Sequence, residues 1–125
     1  MALRDERIYD GEDKVALMRR ILAETPRPTA LFCWHDRVAY QVLEACEQLG
    51  VSIPDELSVV GYDGIHWPSS TVHTATSVHV DLERMAERGM YLLDRYIQGY
   101  EGPLLEETLS VTLSSGTTLG PVNRK

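Results

Sequence analysis

Two short apolar runs without polar–apolar alternation, Thr29-Ala30-Leu31-Phe32-Cys33-Trp34 and Leu57-Ser58-Val59-Val60-Gly61-Tyr62, constrain the fold of this chain more than any other feature. A strand with one face in water alternates. A strand without alternation reads as covered on both faces, the usual condition in a parallel sheet. Thr25-Pro26-Arg27-Pro28 precedes the first run and Pro54-Asp55-Glu56 the second, so turns bound both. Between them Val38, Val42 and Cys46 recur at every fourth residue, with Ala39, Leu43 and Leu49 beside them, which is one face of a helix from about Arg37. Asp36 is placed to cap its start and Gly50 to end it in a left-handed turn. Strand, helix and strand in this order form a βαβ unit, with parallel strands and a right-handed crossover.

The flanking sequence extends the same architecture. After a short extended start at Arg7-Ile8-Tyr9, the residues Val15, Met18, Ile21 and Leu22 share one helical face, and that helix must stop before the two prolines. Gly64 to Thr74 reads as a loop and Ala75 to Val80 as a short strand. Asp81 then caps a third helix whose apolar face holds Leu82, Met85, Ala86, Gly89, Leu93, Tyr96 and Ile97, with Tyr91 and Tyr100 packing on or beside it. Glu107 to Leu113 alternates, with Leu109, Val111 and Leu113 inward, as a half-buried strand does; the tail from Ser114 reads as irregular. The expected fold class is α/β, a largely parallel sheet flanked by helices. At 125 residues the chain is one domain by length, long enough to bury a real core.

In open parallel sheets, ligands bind beyond the carboxyl ends of the strands. Trp34-His35-Asp36 ends the first apolar run and Tyr62-Asp63-Gly64 the second, so His35 and Asp63 fall on one rim. Fixed donors and acceptors there suit a polyol, each of whose hydroxyls gives and takes a hydrogen bond. Gly61 and Gly64 around Asp63 suggest a backbone shaped for close approach. The plainer readings stand beside these: short polar residues at strand ends also act as caps, and His35 reads equally as a solvated side chain at a helix start. Trp67 either packs on its own domain or anchors a partner subunit.

Other classes of function find little support. There is no Gly-x-Ser-x-Gly, His-Glu-x-x-His, P-loop or Gly-x-Gly-x-x-Gly, so no enzyme is expected. His66, His73 and His79 read as surface residues without metal-ligand spacing, and neither a metal nor a cofactor is expected. Cys33 and Cys46 read as buried free thiols, although spacing alone leaves a disulfide open. The formal charge of −7 repels phosphate, so any contact with DNA belongs to residues outside this chain. No apolar run approaches the roughly 20 residues of a membrane span, and Met1 to Arg7 holds no apolar signal core, so a cytoplasmic protein is expected.

Pro28-Thr29-Ala30-Leu31-Phe32-Cys33-Trp34-His35-Asp36-Arg37-Val38-Ala39 resembles the LacI/GalR-family pattern Pro-Thr-Ala-(apolar)-Phe-Cys-x-Asn-Asp-x-x-Ala. The likeness continues from Leu49 through Ile53-Pro54-Asp55-Glu56-Leu57-Ser58-Val59-Val60-Gly61-Tyr62-Asp63 and on to Thr76-Ser77-Val78, and runs from about Tyr9 to Thr118. The resemblance implies the carboxyl-terminal lobe of a periplasmic-binding-protein-like type I fold, with residues 1–125 as one truncated effector-binding lobe. It implies a cytoplasmic transcriptional repressor whose DNA-binding headpiece and amino-terminal lobe lie outside this sequence, and whose small effector is a sugar or nucleoside derivative. Even this lobe is then expected to start with another strand and helix, which leaves a sheet edge open. By position, His35 takes the place of the family's effector-binding Asn, Asp63 that of its Asp, and Tyr9 that of an aromatic residue stacking on the effector. The implied partners are that effector, a homodimer or higher oligomer with Tyr40 and Trp67 as contacts, and DNA through the headpiece alone, with no membrane.

The sequence departs from the pattern at His35, at Gly64 where a second Asp is common, and at Ser114-Ser115-Gly116-Thr117 in place of Arg-x-Ser-Thr. A periplasmic sugar-binding protein of the same fold is the alternative. Pro54-Asp55-Glu56-Leu57-Ser58-Val59 followed by Gly61-Tyr62-Asp63 is the repressor-side form.

Overall fold

The computed structural model describes residues 7–121; the expectations placed on Met1 to Glu6 and on the last four residues lie outside them. The elements are α1 (Lys14–Leu22), β1 (Ala30–Phe32), α2 (Asp36–Gln48), β2 (Ser58–Asp63), β3 (Thr76–His79), α3 (Leu82–Ile97) and β4 (Thr112–Ser114). They form one sheet in the order β1-β2-β3-β4. The first three strands are parallel, with Leu31 opposite Val59 and Gly61 opposite Ser77, and β4 runs antiparallel to β3. The βαβ unit β1-α2-β2 is therefore present, and the fold is α/β with a largely parallel sheet.

Local chemistry explains where the helices start and stop. Asp13 caps α1 by accepting the Ala16 N–H at 3.0 Å, and Asp81 caps α3 by accepting that of Arg84 at 2.9 Å. At the end of α2, Gly50 takes φ +68°, which lets the Val51 N–H reach the Cys46 carbonyl at 2.9 Å and the Gly50 N–H that of Glu47 at 3.1 Å. That paired closure satisfies carbonyls that the helix leaves open, and its positive φ favours glycine at position 50. The start of α2 corrects the sequence reading: the capping side chain is His35, not Asp36.

The core lies between one face of the sheet and the two helices α1 and α2. Met18 and Ile21 meet Ala39, Val42, Leu43 and Cys46 over Leu57 and Val59, all buried. On β1 the side chains do alternate in burial: Cys33, just past the strand, is buried on the helix side, whereas Phe32 and Trp34 are exposed, Trp34 at 73%. The expectation that this run is covered on both faces therefore fails, because no described element covers the outer face, where Phe32 and Trp34 stand exposed. Phe32 finds only Tyr62 there, edge to face with ring centroids 6.4 Å apart.

Two further expectations are corrected. α3 forms as expected, yet none of its residues is buried, so its apolar face meets no layer among the described residues. The strand expected over Glu107 to Leu113 is shorter and later, Thr112–Ser114, and Val111 and Leu113 are exposed for the same reason. The tail beyond it is irregular but anchored: Thr118 is fully buried, its Oγ1 donating to the Val59 carbonyl at 2.6 Å and accepting from the Thr76 N–H at 2.9 Å.

Candidate functional site

Because β1 and β2 are parallel neighbours, the residues that leave them emerge at one rim of the sheet. A cleft of about 240 Å³ opens there, lined by His35, Asp36, Arg37, Asp63, Ile65 and Trp67. Two of its walls come from strand ends and the start of α2, and the others from the loop after β2.

His35 is fixed by its own helix. Its Nδ1 accepts the Val38 N–H at 3.1 Å, so that nitrogen is unprotonated and the neutral ring carries its hydrogen on Nε2. The capped imidazole is thus a donor at the rim, with the Trp34 ring centroid 3.7 Å from its own. Asp63 closes β2 with φ +104°, the one non-glycine residue at positive φ among those described. Such a conformation costs on the order of 1–3 kcal/mol and persists where surrounding bonds over-determine it. Those bonds are visible. The Asp63 carbonyl accepts the Val80 N–H at 3.2 Å, the Gly64 N–H donates to Ser77 Oγ at 3.2 Å, and the Ile65 N–H donates to Asp36 Oδ2 at 2.5 Å.

Beyond Ile65 the loop follows α2 from its first turn towards its last. Tyr40 Oη meets His66 Nδ1 at 2.9 Å, and the Arg37 guanidinium stands 5.7 Å from the Trp67 ring centroid. Glu44 accepts from Ser69 Oγ at 2.6 Å and from the Ser70 N–H at 2.8 Å; Glu47 accepts from Thr71 Oγ1 and from the Val72 N–H. Asp36, Tyr40, Glu44 and Glu47 lie at spacings of four, four and three, so one stripe of the helix straps the loop along its length. The Ser69 hydroxyl, followed by the Ser70 N–H, holds the Glu44 carboxyl below the usual glutamate range.

The structure brings His35 and Asp63 to the same cleft. Tyr9 is elsewhere: its ring packs on the core cluster, its hydroxyl donates to Glu24 at 2.8 Å, and it does not line the cleft. Tyr40 is 3% exposed, with its hydroxyl engaged inside the chain. Trp67, 39% exposed, stays at the rim of the cleft.

The reading of the two glycines changes as well. A Cβ on Gly61 would sit 2.0 Å from Asp36 Oδ1, and one on Gly64 2.4 Å from His79 Nδ1, so the close approach comes from the chain's own side chains. Asp36, Ser77, Arg37 and Ile65 were missed as parts of the site. The glycine within the apolar run was the available signal for a side chain lying over the strand.

Cys33 and Cys46 are buried free thiols, pushed up to about 12 and about 11 chiefly by burial, and so stay protonated near neutral pH. Among the described residues no group of three or more His, Cys, Asp or Glu is placed to hold a metal ion. No described helix is long and apolar enough to cross a membrane.

Residues 2–119 match the family described as periplasmic binding protein-like domain. Among curated proteins, the chain is 36% identical over 85 residues to the HTH-type transcriptional repressor PurR of Mannheimia succiniciproducens, covering 68% of this chain and 25% of that protein. It is 33% identical over 108 residues to the PurR of Yersinia enterocolitica, covering 82% of this chain and 32% of the relative. The chain thus spans about a quarter to a third of the length of the curated relatives it matches. Among solved structures, a LacI family transcriptional regulator from Bifidobacterium animalis subsp. lactis superposes with a TM-score of 0.77 at 21% identity, over 91% of this chain and 42% of that one. A second, from Enterococcus faecium with bound ribose, gives 0.73 at 23% identity over 88% and 40%.

Proposed function

Because this chain belongs to the family of periplasmic binding protein-like domains, we propose that it is the effector-binding part of a transcriptional regulator, one lobe of a two-lobed receptor. The effector is a polyol, a sugar or nucleoside derivative. One observation carries this reading: an imidazole donor and a carboxylate acceptor, His35 and Asp63, converge from two parallel strand ends on one cleft. LacI-type structural neighbours hold ribose, lactose and sucrose, which supports a sugar here. The relatives named as HTH-type repressors favour regulation over the alternative, sugar uptake in the periplasm. A regulator of this kind works in the cytoplasm as a dimer or larger assembly, with Trp67 as a contact. It touches DNA through residues outside this acidic sequence, has no chemical step to catalyse and needs no cofactor.

In this mechanism Asp63 accepts from one hydroxyl of the effector while His35 Nε2–H donates to the next, and Trp67 offers an apolar edge. Calorimetry of the two-lobed protein against ribose, lactose, sucrose and nucleosides tests it. Asp63→Ala removes a charged hydrogen bond at a desolvated site and is expected to weaken the binding member of that panel by roughly 1.5–3 kcal/mol, about ten- to a hundred-fold. A folded Asp63→Ala protein that binds as tightly as wild type places the site elsewhere.

A further inference from the structure

We propose that Asp36 is the positioning residue of the cleft: its buried carboxylate holds residues 63–65 on the strained course that turns Asp63 towards the effector. Asp36 is only 2% exposed, and a carboxylate so buried is tolerable only when its oxygens accept hydrogen bonds. Both do. Oδ1 accepts from Ser77 Oγ at 2.6 Å and Oδ2 from the Ile65 N–H at 2.5 Å. Ser77 Oγ in turn accepts the Gly64 N–H at 3.2 Å. The two peptide N–H groups that directly follow Asp63 are therefore both tied to Asp36, one directly and one through a single hydroxyl.

Asp63 itself sits at φ +104°. An aspartate relaxes from that region to extended backbone unless its neighbours forbid it. Gly61 completes the device, because any side chain there would collide with the Asp36 carboxylate. His35, one residue earlier, meets the ligand on this reading, while Asp36 acts only through Asp63. The assignment deepens the effector-site reading and rests on it for its functional meaning, but its physical core stands on the apo chain.

The test uses that chain, ¹⁵N-labelled. In wild type the three-bond HN–Hα coupling of Asp63 is expected to be small, because φ +104° lies away from the value of about +60° at which positive-φ couplings are larger. In Asp36→Ala, which removes both acceptors and leaves the Ile65 N–H and Ser77 Oγ without the carboxylate, the coupling is expected to rise towards the large value of an extended residue. Thermal melts supply a second reading. Asp63→Gly relieves strain and is expected to raise the Tm of wild type by roughly 3–6 °C, but to raise that of Asp36→Ala by less than half as much.

A small Asp63 coupling that survives Asp36→Ala, or an equal gain from Asp63→Gly in both backgrounds, overturns the proposal. If Asp36→Ala does not fold, Ser77→Ala severs the link to Gly64 and is read in the same two ways. Titration of the wild-type two-lobed protein separates the two readings. If the sugar and nucleoside panel fails to bind while the couplings behave as expected, the effector-site reading is wrong and the positioning role stands.

Discussion

At the scale of single residues, His35 serves two ends at once, and the structure shows how they are compatible. The Nδ1 atom caps α2, which leaves Nε2 as a donor to the cleft. Replacement by alanine removes the side-chain acceptor of the Val38 N–H and leaves it the residue-35 carbonyl at 3.1 Å, and is expected to destabilise the chain by about 0.5–2 kcal/mol. Asparagine, among the best capping residues, is expected to restore most of that loss. Urea melts of wild type, His35→Ala and His35→Asn check this. Equal stability of all three variants would show that the cap contributes nothing. The sequence made the convergence of His35 and Asp63 legible, because two buried runs in a βαβ unit force neighbouring strand ends. It did not show which of His35 and Asp36 caps the helix. Both types can do so, and the choice depends on Ser77 and Ile65, which approach Asp36 only once β3 and the loop are in place.

Among the elements, the loop after β2 carries the most information that sequence reading left unused. From Ile65 to Val72 it has no regular structure, yet four side chains on one stripe of α2 hold it in register. Tyr40 read as a subunit contact and Glu44 drew no reading, because their partners, the His66 ring, backbone N–H groups and small hydroxyls, leave no periodic signal. The apolar pattern of α1 and α2 was legible because burial against a sheet imposes it. That of α3 was legible as a helix, but its burial was not, since a helical period says nothing about where the covering layer is.

The strap should also respond to acid. The folded carboxyl of Glu44 titrates below the usual value of 4.5, so its contribution to stability is present in full above that value and is lost as the pH falls through the lower, folded one. Amide exchange at Ser70 is expected to accelerate, relative to the intrinsic rate, as the pH is lowered through that range. In Glu44→Ala, which has no side-chain acceptor, the same amide is expected to be poorly protected at every pH. Uniform protection of Ser70 across the acid range would show that Glu44 does not hold the loop.

For the whole molecule, the decisive fact is that only one side of the described structure is a finished interior. α1 and α2 cover one face of the sheet, while Phe32 and Trp34 stand open on the other and β1 offers an unpaired edge. α3 adds a second apolar surface, with Leu82, Met90, Leu93 and Ile97 all exposed, Ile97 at 71%. Contiguous apolar patches and free strand edges on one molecule drive association, and a net charge of −7 opposes it only over the screening length, about 8–10 Å in ordinary buffer. The 125-residue chain is therefore expected to self-associate at micromolar concentration. With Tyr40 buried, these open surfaces and Trp67 are the candidates for that contact. Sedimentation velocity should show dimers or larger species, and Leu93→Glu with Ile97→Glu, which place charge on α3 without touching the core, should shift them towards monomer. Trp67→Ala, at a half-exposed rim, should shift them less. A monomeric profile at every concentration, or a larger effect from Trp67→Ala than from the α3 pair, would mean that the open helix face does not govern how this molecule meets its own copies.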